Sequence, residues 1–147
     1  MSGAPGSATT LYLLEEAAFA DLGTFAGRAK SLDPDGAMRL VVVGEVLASY
    51  VCVVPPGTLD GAGTVLGLRT YAVRSDGPLD VTVPLAAVTD RTQRRGAGSV
   101  LAVPPVTVTA PWAGMAPPRS GWGEPVEVPG EVIDAAARRG IAAVAAG

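Results

Sequence analysis

Histidine is absent from this 147-residue chain, and asparagine with it. Cysteine, lysine and glutamine occur once each, as Cys52, Lys30 and Gln93. Without imidazole there is no Ser-His-Asp or Cys-His catalysis, no proton shuttle near neutral pH, and no His-bearing zinc or haem site. One cysteine excludes an intramolecular disulfide, a thiolate zinc cluster and Cys-x-x-Cys redox chemistry, and gives no sign of an oxidising compartment. Aromatic residues are also scarce at 5%, although 48% of the chain is apolar. The core must therefore be built from small side chains, mostly alanine and valine. This Ala/Gly/Val/Arg usage fits a GC-rich genome, so single alanines and glycines carry little meaning.

Charge is sparse and uneven. Net charge is −3: residues 1–60 carry seven acids against three bases, residues 61–118 five bases against three acids, and the remainder three bases against four acids. No segment has the dense cationic footprint that phosphate-backbone binding needs, so a nucleic-acid partner is not expected. Residues 37–54, "AMRLVVVGEVLASYVCVV", are long enough to raise the question of a membrane span. Arg39 and the Gly44-Glu45 pair interrupt them, and a mid-membrane glutamate costs energy on the kcal/mol scale. The first ten residues, "MSGAPGSATT", lack the basic and apolar regions of a signal peptide and read as a disordered tail. A soluble, cytoplasmic chain with no membrane contact is expected, with one domain over residues 11–147.

What is present points to α+β. Ala18, Phe19, Leu22, Phe25, Ala26, Ala29 and Leu32 recur at three- and four-residue steps, which predicts a helix over about Glu15–Ser31. Acids in its first turn and bases in its last match the helix dipole. "DPDG" (33–36) stops it, with Gly36 free to take positive φ. Met38–Val43 and Val46–Val54 read as a hairpin turning at Gly44-Glu45, and the second run, apolar on both faces, belongs in mid-sheet. Further strands are expected at Val65–Arg74, at residues 79–83 and at "VTVT" (106–109), the last demoted to an edge by Pro104-Pro105. A short helix is expected over 84–95, and a C-terminal helix from Pro129. The latter either stops at Gly140 or runs through it, aligning Ile133, Ala137, Ile141 and Val144. The expected fold is a mainly antiparallel sheet of about five strands with N-terminal, middle and C-terminal helices.

Few motifs carry chemistry. "DGAGTVLG" (60–67) resembles a phosphate-cradling loop, but it leads into a strand and lacks Gly-Lys-Ser/Thr, so it reads as a strand connection. The carboxylates of "DPDG" fall short of a calcium loop. Glu15 and Glu16 diverge by about 100° on a helix and cannot face one substrate. Arg91, Arg94 and Arg95 read as a solvated helix end, Cys52 as a buried thiol, and Lys30, without a Ser-x-x-Lys partner, as a surface lysine. No metal and no cofactor is expected.

The segment "PWAGMAPPRSGWGEP" (111–125) holds both tryptophans among four prolines and three glycines, inside a loop from Ala110 to about Val128. Trp112 and Trp122 can form an apolar platform, with Arg119 between them to stack or to pair with an anion. The favoured reading is structural. At least one indole folds back as a plug over a core starved of bulk, since one aromatic buries about 150–250 Å².

The order of "EEAAFADLGTFAGRAKSLDPDGAMRL", "VLGLRTYAV", "LDVTVPLAAVTDR", "PPRSGWGE" and "AARRGIAAVAAG" resembles an uncharacterised actinobacterial family of unknown function over residues 12–147. The resemblance implies a bacterial cytoplasmic origin, no functional residues, and a relative that continues beyond "GIAAVAAG", so that this chain would be a C-terminally shortened member. Two functions are carried forward. The first is a non-catalytic interaction or scaffold domain that self-associates as a homodimer or binds another protein. The alternative is a small-ligand-binding protein or modest enzyme with the Trp112–Trp122 loop as lid and Trp112, Arg119 and Trp122 as contacts.

Overall fold

Alternation along the strands sorts this chain into two apolar layers on opposite sides of one sheet. The computed structural model describes residues 9–94, 96 and 98–147. They fall into two compact units, Met1–Met115 and Ala116–Gly147, where a single domain is the expectation from length. Residues 1–8 of the expected tail lie outside the described residues, and Thr10 already belongs to a strand.

The first unit contains β1 (Thr10–Leu13), α1 (Glu16–Leu32), β2 (Ala37–Val43), β3 (Val46–Val54), β4 (Val65–Ser75), β5 (Leu79–Pro84), α2 (Leu85–Thr92) and β6 (Val100–Ala102). The strands form one curled sheet in the order β5-β2-β3-β4-β1-β6, with every pairing antiparallel. β3 lies within it, as its two-sided apolarity requires. β2 and β3 meet at the two-residue turn, with Val43 opposite Val46. Gly44 takes φ of +60° there and Glu45 keeps a negative φ, the type II′ arrangement that a leading glycine allows.

Three stretches differ from the sequence expectation, which has no strand at β1 or β6 and has one at residues 106–109. β1 is short and precedes the helix, and it exists because β4 and β6 flank it: Leu11 opposes both Ser75 and Leu101. Residues 106–109 alternate like a strand but do not form one. Pro104 and Pro105 remove two N–H donors, and the backbone bond that ties this stretch to the sheet runs from Val108 N–H to Thr82 O at 2.9 Å.

One face of the sheet carries Leu11, Met38, Leu40, Leu47, Val51, Val73 and Val83, all under α1 and α2. α1 contributes Phe19, Leu22, Ala26 and Ala29 of the predicted stripe, whereas Leu32 at its end is exposed, and α2 contributes Leu85 and Val88. Asp21 clamps α1 to β4. Arg69 Nη1 donates to both its oxygens at 2.8 and 2.9 Å, and Tyr71 Oη donates to Oδ2 at 2.9 Å. Gly36 does not adopt positive φ. It is glycine because a Cβ there would lie 2.9 Å from Leu85 Cδ1 and 3.0 Å from Asp33 O.

The second unit contains α3 (Gly130–Ala145). The helix runs through Gly140, which settles the sequence ambiguity: Ala137, Ile141 and Val144 continue the stripe that Ile133 begins, and propensity at one position, about 1 kcal/mol, is outweighed. No residue of α3 is buried.

Candidate functional site

The other face of the sheet holds smaller residues. Odd positions of β2 and even positions of β3 and β4 place Ala37, Val41, Ala48, Tyr50, Cys52 and Leu66 there. Such a surface leaves room for one large group, and the chain after β6 supplies it. Trp112 is buried to 6% exposure among these residues, together with Ala110, Ala113 and Met115. Two turn bonds, Ala113 N–H to Ala110 O and Met115 N–H to Trp112 O, both 3.0 Å, set the ring's approach.

Beside Trp112 opens a cleft of about 790 Å³, inside the size range of ligand pockets, about 300–1,000 Å³. Four remote stretches make its walls: the "DPDG" turn, the end of β3 with Pro55-Pro56, the β5–α2 junction at Pro84, and residues 108–112. The "DPDG" turn is held in place by Gly36 N–H to Asp33 O (3.0 Å) and Leu85 N–H to Gly36 O (2.9 Å). Asp33 and Asp35 are the only charged residues among the described lining residues, and neither forms an ion pair among them. Cys52 also lines the cleft. Burial, and behind it the Asp33 carboxylate, pushes its thiol pKa up, so the thiol is held protonated rather than activated.

On the same face, Arg39 reaches across to β5. Its Nε and Nη2 donate to Asp80 Oδ1 and Oδ2, both at 2.8 Å, in the fork geometry of a guanidinium–carboxylate pair. These bonds to Asp80 raise the guanidinium pKa further, and the group lies 6.0 Å from the Tyr50 ring centre. Arg39 Nη1 is buried without a hydrogen-bonding partner among the described residues.

Trp112 covers only part of this face. At the hairpin end a row of apolar residues crosses β2, β3 and β4 and reaches Leu14, just past β1: Val43 opposes Val46, Val46 opposes Ala72, and Leu14 N–H bonds Ala72 O at 3.1 Å. Val43, Val46 and Leu14 are 46–54% exposed and Ala72 is exposed too. Tyr12 and Leu68 extend the bare area.

The three contact residues expected from sequence divide between the units. Trp112 belongs to the first and is a core plug lining the cleft. Arg119 and Trp122 belong to the second, where Trp122 is exposed and its Nε1 donates to Pro118 O at 2.7 Å. The glycine-rich loop 60–67 spends its donors on itself: Gly61 N–H bonds Thr58 O, Ala62 N–H bonds Asp60 Oδ1 and Thr64 N–H bonds Gly61 O. The Thr58 hydroxyl, and then the Ala62 N–H, hold the Asp60 carboxyl below its ordinary pKa. Arg91 caps its own helix through Ala87 O at 2.9 Å, and Arg95 lies outside the described residues. Among the described residues no three His, Cys, Asp or Glu side chains gather to hold a metal ion, and no helix is long and apolar enough to cross a membrane.

The cleft itself escaped the sequence reading. Asp33 and Asp35 read as a helix stop, and nothing local shows that Pro55-Pro56 and Trp112 return to them. No curated protein and no solved structure matches the chain. A family model described as a domain of unknown function (DUF8010) matches residues 6–114, a span that takes in the sheet, α1, α2 and Trp112 and leaves out Arg119, Trp122 and α3. The chain therefore belongs to the DUF8010 family.

Proposed function

We propose that this protein is a non-catalytic interaction domain of the actinobacterial cytoplasm that self-associates through the bare half of its sheet. The observation that carries the reading is the apolar row Val43–Val46–Ala72–Leu14, which the first unit leaves uncovered. Contiguous exposed apolar surface of this kind marks interaction sites in soluble proteins. A second copy is the occupant that fits. The row carries no charge of its own, and the charges flanking it are of opposite sign, Glu45 at the hairpin and Arg74 on β4. Val73 N–H bonds Glu45 O at 2.9 Å, which brings these two charges to the same end of the row, so each copy offers the other both signs and no lone charge need be buried. The absence of histidine and the unactivated Cys52 thiol support a non-catalytic role, and a single free cysteine fits a reducing compartment.

Light scattering across a concentration series tests this reading. The wild-type chain is expected to shift from monomer towards dimer, and Val46→Glu to remain monomeric with an unchanged circular dichroism spectrum. A wild-type monomer up to millimolar concentration would remove the proposal.

The cleft favours a second reading, a small-ligand site. Trp112 then acts as a fixed wall rather than the moving lid that a loop of this composition suggests.

A further inference from the structure

We infer that the cleft beside Trp112 takes a small organic cation, an ammonium or guanidinium carried on an apolar stem. This goes beyond self-association and rests on the small-ligand reading of the same cleft. Two independent features of the walls lead to it.

The first is a shortage of donors. Five lining residues, Pro34, Pro55, Pro56, Pro84 and Pro111, have no N–H to offer. Others have already committed theirs inside the fold: Asp33 to Ala29 O, Gly36 to Asp33 O and Val108 to Thr82 O. No lysine or arginine lines the cleft among the described residues. The donors that remain, among them the Thr109 hydroxyl and the Trp112 ring N–H, are joined by no cation, and anion sites are built from converging N–H groups together with cations.

The second feature is the field. Among the described lining residues Asp33 and Asp35 alone carry charge, and the influence of Asp33 extends inward to the Cys52 thiol. Both carboxylates are exposed, so a neutral apolar ligand would crowd their hydration and draw nothing from their charge. A metal ion would ask for more oxygen ligands than two carboxylates supply, and no metal-holding group is present among the described residues. An organic cation answers both features. Its N–H groups serve the carboxylates, while its stem lies along the prolines and Trp112. Proline walls are stiff, so little ordering is lost on binding.

The test uses the full chain with Trp122→Phe, a change at an exposed ring that leaves Trp112 as the sole indole. Phenethylammonium is the probe, with phenethyl alcohol and 3-phenylpropanoate as neutral and anionic isosteres. The ammonium is expected to give a saturable change in Trp112 emission and to slow alkylation of Cys52 by iodoacetamide, since both residues line the cleft. The alcohol should bind about tenfold or more weaker and the carboxylate not at all. Asp35→Asn, and separately Asp33→Asn with Asp35→Asn, should weaken the ammonium by a similar factor while circular dichroism stays native. The single variant covers the case in which the turn needs Asp33 to fold. Equal binding of the three isosteres, undiminished binding to a folded variant, or no saturable response at millimolar ammonium would each overturn the inference. Light scattering on the same samples reads self-association independently, so failure in the cleft is distinguishable from failure at the sheet face.

Discussion

On one face of the sheet α1 and α2 lay down Phe19, Leu22, Leu85 and Val88 over leucines and valines; on the other, a turn after β6 lays down one large ring, Trp112, over alanines. The helix face closes over most of its area, and many of its side chains have no exposure at all. The loop face closes only under the ring, leaving a cleft beside it and a bare apolar row beyond it. The difference follows from how each covering is made. A helix brings a side chain to the sheet every three or four residues over its whole length. A proline-rich segment has few backbone bonds to spend and reaches the sheet at one or two points. Uncovered apolar surface remains where the sparser covering runs out.

The largest effects expected are on stability, and they test whether the two coverings differ in kind. Leu22→Ala removes a side chain with 0% exposure from between α1 and the sheet. It should cost about 3–4 kcal/mol, because the cavity left there is closed. Trp112→Ala deletes a larger group but opens a space continuous with the cleft, which water can enter. A cost of about 2–3 kcal/mol is expected. Urea denaturation of both variants gives the ratio. If Trp112→Ala proved the more damaging, the loop would be the principal closure of the fold and the comparison would have to be reversed.

Much of this arrangement is legible in sequence, and the parts that are not share a cause. α1 shows itself through the spacing of Phe19, Leu22, Ala26 and Ala29, and the β2–β3 hairpin through two apolar runs around Gly44-Glu45. Both are local patterns. β1 is hidden because four residues, Thr10–Leu13, carry no period of their own and gain their pairing from β4 and β6, some sixty to ninety positions away. Residues 106–109 mislead for the opposite reason: their alternation is local, but the prolines before them withhold the ladder. Trp112 and Trp122 sit in one loop of uniform composition. Trp112 packs on the small residues of β2 and β3 while Trp122 is exposed, and no local signal separates them. The cleft is harder still, being assembled from four segments that are neighbours only after folding.

A smaller effect sharpens the helix face itself. Tyr71 is buried there with its hydroxyl donating to Asp21. Burial, and after it the bond and charge of Asp21, raises its pKa well above the ordinary phenol value of about 10. Below about pH 10 the phenol is neutral in folded and unfolded chains alike, and its contribution to stability is whole. As pH rises beyond that, the unfolded chain loses the proton first, so stability falls with pH. Absorbance near 295 nm should show one late-titrating phenol in the native protein, lost in Tyr71→Phe. The same variant should cost about 1 kcal/mol at neutral pH, since one hydrogen bond disappears. Phenol titration complete near the ordinary value would mean that water reaches this edge of the helix face.

Ser49 provides the smallest effect and the one with the opposite sign. It points from β3 into the helix-covered layer, fully buried, and its Oγ has no hydrogen-bonding partner among the described residues. Tyr71, in the same layer, has its hydroxyl satisfied by Asp21; Ser49 has lost water and gained nothing in return. A buried hydroxyl left in that condition costs about 1–3 kcal/mol, partly offset by the packing of its own atoms. Ser49→Ala should therefore raise stability, by about 1 kcal/mol or less, and move the urea midpoint up without changing the slope. The Trp112 side should not respond: Trp112 emission and Cys52 alkylation should match the wild type, because Ser49 faces away from the cleft. A loss of stability would show that the hydroxyl is hydrogen-bonded in solution, and that the helix-covered face is less tightly closed than the loop-covered one in at least this place.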